Sequence, residues 1–204
     1  MESVIIIGTG GFALELAGLL QSSKIELTGF IGPQPIKKLP VKWLGSDEYI
    51  EELPLNSDIL IAIGDLKIRL KLAKKLKQKK ISQQTFIHPN SYVSPEALIS
   101  DGVIIYPNVT IHAGVVLKEN VLVNSNATIG HETRVGGFSN IGPGVSIGGC
   151  CKIGSMVYIG IGVSTIENII VGDQVVIGAG ATVVNNVHLK GTYVGSPAKK
   201  IEKK

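Results

Sequence analysis

A histidine and a glutamate stand side by side, as His131 and Glu132, in the segment "ATIGHETRVGGFSNIGPG". A neighbouring carboxylate favours the protonated imidazole and fixes the orientation of its ring. The pair therefore makes His131 a candidate general base and Glu132 a candidate supporting acid. In an arbitrary protein such a pair more often consists of solvent-exposed residues without a catalytic role. Whether this pair is catalytic therefore depends on the elements that position it.

A glycine-rich stretch, "GTGGFA", is the second group of residues that could do chemistry. Gly8, Gly10 and Ala13 have the spacing of a phosphate-binding loop between a strand and a helix. Glycine at these positions permits a tight turn and lets a ligand approach the backbone at the start of the helix. A glycine turn without a ligand is the alternative. The predicted substrate-binding loop consists of Gly8, Thr9, Gly10, Gly11 and Phe12.

Gly64 and Asp65 follow a third apolar run, in the segment "AIGD". If this run is a strand parallel to the first, both residues lie at the sheet edge where ligands bind, which makes them candidate substrate contacts. Asp65 as N-cap of the next helix is an equally good interpretation. The segment "GFIGPQP" after the second strand lacks the acid that binds the ribose of a dinucleotide, so we expect a nucleotide-sugar rather than NAD.

An aliphatic residue recurs every six residues through the second part of the chain. A period of six does not fit one continuous helix and is typical of hexapeptide β-helix repeats. The exception is Thr165, which resembles valine in shape and whose hydroxyl we expect to bond to nearby backbone. The eighteen positions are Ile87, Val93, Ile99, Ile105, Ile111, Leu117, Val123, Ile129, Val135, Ile141, Ile147, Ile153, Ile159, Thr165, Val171, Ile177, Val183 and Leu189.

The first part of the chain has a different pattern. Short apolar runs such as "SVIIIG" and "DILIAIG" alternate with amphipathic segments such as "FALELAGLLQSS". Alternating strands and helices predict a small parallel α/β domain of the Rossmann type. We place this domain at residues 1–85, and the β-helix with a short C-terminal tail at residues 86–204.

The composition argues against several classes of protein. No stretch approaches the roughly 18 apolar residues that span a bilayer, and the N-terminus does not resemble a secretory signal, so we expect a cytoplasmic protein without a membrane partner. Cys150 and Cys151 are adjacent and cannot readily bridge each other, which fits a reducing compartment. The basic run "KLAKKLKQKK" contains no aromatic residues, so we do not expect nucleic acid as a partner.

The remaining histidines and the cysteines give no further site. His88, His112 and His188 are expected to be structural or solvated, and no histidine cluster has metal-ligand spacing, so we predict no metal. Near the cysteines the sequence offers Lys152 as the basic neighbour. Covalent acyl transfer would need a lowered thiol pKa, for which the sequence gives no support.

The chain resembles the NeuD/PglD-like family of sugar acetyltransferases over nearly its whole length. The resemblance is carried by "IIIGTGGFA", "GHETRVGGFSN" and "GTYVGSPAKK". It implies a left-handed parallel β-helix in which three hexads form one coil, giving about six coils. It also implies acetyl-CoA as co-substrate and a homotrimer with active sites between neighbouring subunits.

The resemblance also implies roles for individual residues. His131 corresponds to the general base of the family and Glu132 to the acid that supports it. Asn124, one hexad earlier, corresponds to a residue that positions the substrate or the histidine. The acetyl-CoA contacts implied by position are Asn140, Ile161 and Ala179.

The function expected from this resemblance is acetyl-CoA-dependent N-acetylation of a nucleotide-linked 4-amino-deoxy sugar on the way to a surface polysaccharide or glycan. Transfer would be direct, without a covalent enzyme intermediate. O-acetylation of sialic acid is an alternative with the same base. A non-catalytic trimeric scaffold that binds nucleotide-sugars is an alternative from a different class.

Overall fold

A computed structural model describes residues 3–34 and 41–201. Residue 35, the last of the segment "GFIGPQP", and residues 202–204 of the predicted tail lie outside the described residues. The chain divides into two compact units, with the boundary between Phe86 and Ile87.

The N-terminal unit is a four-stranded parallel sheet with helices, which confirms the predicted Rossmann-like α/β architecture. The strand order is β3-β2-β1-β4. Two elements were not predicted, the three-residue strand β3 and a 3₁₀ helix. The elements in chain order are β1 (Ser3–Ile7), α1 (Gly11–Ser22), β2 (Glu26–Ile31), β3 (Trp43–Gly45), the 3₁₀ helix (Asp47–Glu52), β4 (Ile59–Ile61) and α2 (Leu66–Gln78).

The helices of this unit form because one face of each has an apolar stripe at helical spacing. The buried residues of α1 are Ala13, Leu16, Ala17 and Leu20, which are three or four residues apart along the stripe. They cover a sheet whose central strand β1 is itself largely buried. Neither α1 nor α2, the two α-helices in the described part of the chain, is long and apolar enough to cross a membrane.

The buried stripe of α2 contains an arginine, Arg69, together with Leu72, Ala73 and Leu76. Only 2% of Arg69 is exposed, and its Nη1 donates a hydrogen bond of 2.9 Å to the carbonyl oxygen of Ile63. Burial lowers the pKa of Arg69 to about 10, so the side chain stays charged at neutral pH. The sequence analysis missed this residue, although an arginine in an apolar stripe is a visible signal.

Seventeen strands of two residues each follow, and the first of them spans the boundary into the C-terminal unit. They are β5 (Phe86–Ile87), β6 (Tyr92–Val93), β7 (Leu98–Ile99), β8 (Ile104–Ile105), β9 (Thr110–Ile111), β10 (Val116–Leu117), β11 (Leu122–Val123), β12 (Thr128–Ile129), β13 (Arg134–Val135), β14 (Asn140–Ile141), β15 (Ser146–Ile147), β16 (Lys152–Ile153), β17 (Tyr158–Ile159), β18 (Ser164–Thr165), β19 (Ile170–Val171), β20 (Val176–Ile177) and β21 (Thr182–Val183).

Every third strand joins the same parallel sheet, so the strands build three faces. Residues 18 apart are paired, as Thr128 is with Ser146 and Ile129 with Ile147. The hydrogen bond from the Gly130 N–H to the Ile147 carbonyl, at 2.8 Å, shows how one coil is tied to the next. The fold is a left-handed parallel β-helix of about six coils, as predicted.

The interior is filled by two positions of each hexad, of which the sequence analysis identified only the first. The fifth position also faces inward, and it includes Thr133, which is fully buried. The Thr133 hydroxyl donates to the Gly148 carbonyl at 2.9 Å and accepts from the Cys151 N–H at 3.1 Å. The Thr165 hydroxyl accepts from the Gly148 N–H at 3.0 Å, which confirms the expected bond to nearby backbone.

The hexad pattern overestimates burial at both ends of the β-helix. Ile87 and Leu189 continue the six-residue spacing, but both side chains are exposed. Ile87 lies in the first coil, which has a neighbouring coil on one side only. At Leu189 the register has changed, because Val171 pairs with Val187, 16 residues later instead of 18, and the buried Val187 takes the inward position.

In fourteen of the eighteen hexads the fourth position adopts a left-handed backbone conformation, with φ between +55° and +71°. Glycine and asparagine tolerate this conformation best, and they occupy nine of the fourteen corners. Glu132 and Cys150 are among the five exceptions. The fourteen residues are Gly102, Asn108, Gly114, Asn120, Asn126, Glu132, Phe138, Gly144, Cys150, Met156, Gly162, Asn168, Gln174 and Gly180.

The glycine at the second hexad position serves close packing of the coils. A Cβ atom added at Gly130 would lie 2.6 Å from the carbonyl carbon of Gly148 in the next coil. Because that contact is with backbone, a side chain at this position could be accommodated only if the coils moved apart.

The predicted C-terminal tail contains two further strands. β22 (Thr192–Val194) pairs parallel with β20, and β23 (Lys199–Ile201) pairs antiparallel with β22. The last described residues therefore extend one face of the β-helix.

Candidate active site

His131 lies at the corner between β12 and β13, and its backbone is held by the next coil. Its carbonyl oxygen accepts a hydrogen bond of 2.7 Å from the Cys150 N–H. The N–H of Glu132 donates to the Ala113 carbonyl, at 2.9 Å, in the preceding coil. Contacts with coils on both sides therefore fix the backbone of the predicted pair.

The structure brings the two predicted side chains together. The distance from His131 Nδ1 to Glu132 Oε2 is 3.4 Å, which is long for a hydrogen bond but within the range of an ion pair when the ring is protonated. Glu132 faces Nδ1, so Nε2 is the nitrogen that is available to accept a proton. In the single chain the His131 side chain is 64% exposed and that of Glu132 is 71% exposed.

Gly149 provides the space in which the imidazole ring lies. A Cβ atom added at Gly149 would be 2.5 Å from His131 Nε2 and 2.8 Å from Cε1. The sequence analysis did not identify this residue, because its role depends on the coil that stacks above His131. Glycine at this position is therefore a condition for the observed orientation of the ring.

Cys150 is the third reactive side chain at this corner. Its Sγ donates a hydrogen bond of 3.4 Å to Glu132 Oε2 and lies 3.9 Å from His131 Nδ1. The sequence indicated Lys152 as the basic neighbour of the cysteines. The stacking of coils brings His131 close to Cys150 as well. The hydrogen bond to Glu132 raises the pKa of the Cys150 thiol, and burial and the negative charge of Glu132 raise it further. A raised pKa gives no support to covalent transfer through this thiol.

We predict that replacing Glu132 with glutamine speeds alkylation of Cys150 at a fixed pH between 7 and 8. The substitution removes the charge that favours the protonated thiol, so the thiol pKa falls and the thiolate fraction rises. The measurement is the pH dependence of the rate of iodoacetamide labelling, followed by intact mass in a Cys151→Val background. Cys151 is buried, and several equivalent interior positions hold valine. Identical pH profiles for the two proteins would contradict the assigned contact.

Asn124 lies at a different corner from His131. It follows β11, whereas His131 follows β12, so the two residues occupy neighbouring corners of one coil. The Asn124 Oδ1 accepts a hydrogen bond of 2.7 Å from the N–H of Ser125. The geometry of one chain does not bring Asn124 to the His131–Glu132 pair, and its role stays a prediction.

The three residues predicted to contact acetyl-CoA are not equivalent in the structure. Ile161 and Ala179 are exposed and lie 18 residues apart at one corner, where the Gly180 N–H donates to the Ile161 carbonyl at 2.8 Å. Asn140 lies in β14 and is only 5% exposed, so its side chain offers a ligand almost no surface in a single chain. In the single chain a ligand can reach Ile161 and Ala179, but it cannot reach the buried side chain of Asn140.

The predicted glycine loop lies at the carboxyl end of β1. Gly8 has a φ of +135°, and a Cβ atom there would collide with the carbonyl oxygen of Ala62. The side chain of Thr9 lies against Gly32, where an added Cβ would be 2.8 Å from Thr9 Cγ2. The loop is therefore packed between the ends of β2 and β4, and glycine is required at Gly8 and Gly32.

The start of α1 is open to a ligand. Gly10 is the N-cap residue of α1, and no side chain caps the helix there. A Cβ atom added at Gly10 or at Gly11 would meet nothing within 4 Å. Both glycines are exposed and Phe12 is half-buried. Backbone at a helix N-terminus is suited to binding phosphate.

Asp65 adopts the N-cap role that the sequence offered as an alternative. Its Oδ1 accepts hydrogen bonds of 2.9 Å from the N–H groups of Lys67 and Ile68 at the start of α2. Gly64 is exposed beside it. Contacts of Gly64 and Asp65 with a substrate stay predictions.

Trp43 is a further candidate at this edge that the sequence analysis missed. Its indole N–H donates a hydrogen bond of 3.0 Å to the carbonyl oxygen of Gly32, which also borders Thr9. The side chain is 41% exposed. The residue was missed because its strand, β3, is too short to show a pattern.

A left-handed β-helix of hexapeptide repeats that follows an α/β unit in the sequence is the fold of a hexapeptide-repeat acyltransferase, and the histidine–carboxylate pair fits that class. Residues 81–203 match the family described as GMPPB C-terminal domain, and residues 3–76 match the PglD N-terminal domain. The chain belongs to the NeuD/PglD-like family of sugar acetyltransferases. The part of the chain that contains the β-helix belongs to the GMPPB C-terminal domain family. The protein is therefore an acetyltransferase.

Solved structures similar to the chain carry informative ligands. PerB from Caulobacter crescentus, in complex with CoA and GDP-perosamine, is 28% identical with a TM-score of 0.92, over 98% of this chain and 97% of that one. The acetyltransferase domain of PglB from Neisseria gonorrhoeae, in complex with acetyl coenzyme A, is 28% identical with a TM-score of 0.92, over 98% and 99%. WeeI from Acinetobacter baumannii, 20% identical with a TM-score of 0.58 over 98% and 100%, shares the fold. No curated protein matches the sequence.

Proposed function

We propose that the protein transfers the acetyl group of acetyl-CoA to the amino group of a nucleotide-linked 4-amino-deoxy sugar, in a route to a surface polysaccharide or glycan. The observation that carries the proposal is the His131–Glu132 pair, in which the carboxylate faces Nδ1 and leaves Nε2 for the acceptor. The two similar structures that contain CoA or acetyl-CoA support the co-substrate, and the complex with GDP-perosamine supports a nucleotide-linked amino sugar as acceptor.

The reaction needs one base and no covalent intermediate. His131 Nε2 removes a proton from the amine as the nitrogen attacks the thioester carbonyl, and Glu132 stabilises the imidazolium that forms. A backbone N–H at a glycine corner of the β-helix stabilises the oxyanion of the tetrahedral intermediate. When the intermediate collapses, the carbon–sulfur bond breaks and the imidazolium returns the proton to the CoA thiolate. The products are the amide and CoA.

The N-terminal unit binds the nucleotide in this proposal. The phosphates lie against the backbone of Gly10 and Gly11 at the start of α1, where no side chain occupies the space. Thr9, Phe12 and Gly64 line the same edge of the sheet. The absence of an acid in the segment after β2 favours a nucleotide-sugar over a dinucleotide.

The proposed assembly is a homotrimer whose subunits together complete the active site. His131 and Glu132 are largely exposed in the single chain, whereas acyl transfer is favoured by a site that excludes water. The β-helix also exposes large apolar side chains, including Tyr158 at 44% and Ile161 at 60%, which supports burial against another subunit. The two free cysteines fit a reducing compartment, and we propose a cytoplasmic location.

The test of the proposed function is release of the CoA thiol from acetyl-CoA in the presence of a panel of acceptors. The panel contains UDP-, dTDP- and GDP-linked 4-amino sugars, the corresponding 4-hydroxy sugars, and free sialic acid. We expect turnover with one nucleotide-linked amine and none with its hydroxy counterpart. Turnover with free sialic acid alone would identify an O-acetyltransferase instead, and acetyl-CoA binding without turnover on any acceptor would place the substrate outside this class.

We predict that a nucleotide changes the fluorescence of Trp43, the single tryptophan of the chain, and that Gly10→Ala weakens this binding about tenfold or more. The added methyl group meets no protein atom within 4 Å, so the fold is preserved while the approach of a phosphate is obstructed. The measurement is a fluorescence titration with UDP, dTDP and GDP. Gly18→Ala is the matched control, because its methyl group also enters open space but lies on the exposed side of α1. Equal affinities for Gly10→Ala and wild type would place the nucleotide elsewhere.

A further inference from the structure

We propose that His131, Glu132 and Cys150 form a binding site for a zinc-like divalent cation, and that the bound ion inhibits acetyl transfer. The three side chains each offer one ligand atom, and these atoms all lie within 4.8 Å of one another. The inhibitory consequence rests on the proposed function. The binding itself does not.

Two of the three distances among these atoms match those of ligands around a tetrahedral ion, and the third is a few tenths of an ångström longer. With Zn–N and Zn–O near 2.0–2.1 Å and Zn–S near 2.3 Å, ligand atoms are about 3.3–3.6 Å apart. The observed separations are 3.4 Å for Nδ1 to Oε2, 3.4 Å for Sγ to Oε2 and 3.9 Å for Sγ to Nδ1. A movement of a few tenths of an ångström in one exposed side chain would complete the geometry.

The β-helix fixes the backbone of the three ligand residues before any ion binds. Glu132 and Cys150 occupy the same corner in successive coils, and both have a φ of +58°. The hydrogen bond between the Cys150 N–H and the His131 carbonyl oxygen ties the two coils at this point. Sequence spacing does not indicate the cluster, because Cys150 follows Glu132 by a full coil.

The chemistry of the donors selects the class of cation. One thiolate, one imidazole and one carboxylate suit Zn²⁺ and not Mg²⁺ or Ca²⁺, which prefer sets of oxygen ligands. Binding releases the Cys150 thiol proton to solvent and forms the metal–sulfur bond. Three protein ligands leave a fourth position for water.

Occupation of the site removes the base. A metal on Nδ1 places the proton of the neutral ring on Nε2, so Nε2 becomes a donor and cannot accept the proton of the acceptor amine. The carboxylate of Glu132 is at the same time bound to the metal, so it can no longer stabilise a protonated His131 ring. The expected result is inhibition by zinc that a chelator reverses.

The first experiment measures binding without any substrate. Co²⁺ is titrated into the metal-free protein, and the near-ultraviolet absorption of a thiolate–Co²⁺ bond is recorded. We expect this band in wild type and in Cys151→Val, and its loss in Cys150→Ala. Glu132→Gln retains the thiol and should bind Co²⁺ at least about tenfold more weakly, which provides a second test if Cys150→Ala does not fold. Absence of the band in wild type, or a band that depends on Cys151, would overturn the site.

The second experiment measures the rate of acetyl transfer by each variant with and without Zn²⁺. The result for each variant is the ratio of these two rates. We expect inhibition of wild type and Cys151→Val that EDTA reverses, and at least about a tenfold higher inhibitory Zn²⁺ concentration for Cys150→Ala. A Co²⁺ band without any effect of Zn²⁺ on the rate would overturn the inhibitory role alone. If the metal-free protein shows no transfer on any acceptor, the proposed function fails, and the Co²⁺ band decides the metal site independently.

Discussion

His131→Ala is expected to lower kcat by about 10²- to 10⁴-fold, the range that a positioned general base contributes. The substitution leaves the amine without a group to accept its proton during attack on the thioester. Binding of acetyl-CoA and of the nucleotide should change little, because Nε2 acts on the reacting atoms and not on the rest of either ligand. Thiol release under saturating acetyl-CoA and acceptor measures the effect.

Two controls make this prediction specific to the base. His188→Ala removes another exposed histidine of the β-helix and should retain the wild-type rate. Imidazole added to His131→Ala should restore part of the activity, because the truncated side chain leaves a space in which a free imidazole can act as the base. Full activity in His131→Ala would show that another group removes the proton. An equal loss in His188→Ala would indicate a general effect on the fold.

Gly149→Ala is expected to lower kcat by roughly 10- to 100-fold, although the residue carries no reactive group. The new methyl group would lie 2.5 Å from His131 Nε2, so the ring must move away from the position in which it accepts a proton. A displacement of about 1 Å at a reacting centre can reduce the rate by about 10²-fold. The nearby atoms belong to an exposed side chain, so the ring can move while the coils stay in register.

The matched measurements for Gly149→Ala are the rate of thiol release and the thermal unfolding temperature. Gly18→Ala, which also adds one methyl group, should retain activity. We expect Gly149→Ala to unfold close to the wild-type temperature while its kcat is reduced. Unchanged kcat would show that the observed position of the ring is not required for transfer, and a large loss of stability would show that Gly149 serves the fold instead.

Much of the architecture is readable from the sequence, because both units repeat simple patterns. The six-residue spacing around Ile129 predicts the β-helix and places His131 and Glu132 at a corner. The alternation of apolar runs and amphipathic segments predicts the α/β unit. The pattern fails at Ile87, in the first coil, and at Leu189, where the register has shifted by two residues and Val187 takes the inward position instead.

The contacts that shape the site are not readable from the sequence, because they join residues about 18 positions apart. Gly149 and Cys150 meet the His131–Glu132 pair only when one coil stacks on the next. Trp43 belongs to a strand of three residues, which is too short for a period to appear. Arg69 is different, since an arginine in the buried stripe of α2 is visible in the sequence and was overlooked.

The most direct test of the central claim is to determine the structure of the reaction product. The wild-type protein is incubated with a nucleotide-linked 4-amino sugar and with acetyl-CoA that carries ¹³C at the acetyl carbonyl. Nuclear magnetic resonance of the purified product shows which sugar atom carries the label. The account predicts an amide at the sugar nitrogen, formed by wild type and not by His131→Ala. An ester at a sugar oxygen, or an amide that forms equally well without His131, would contradict it.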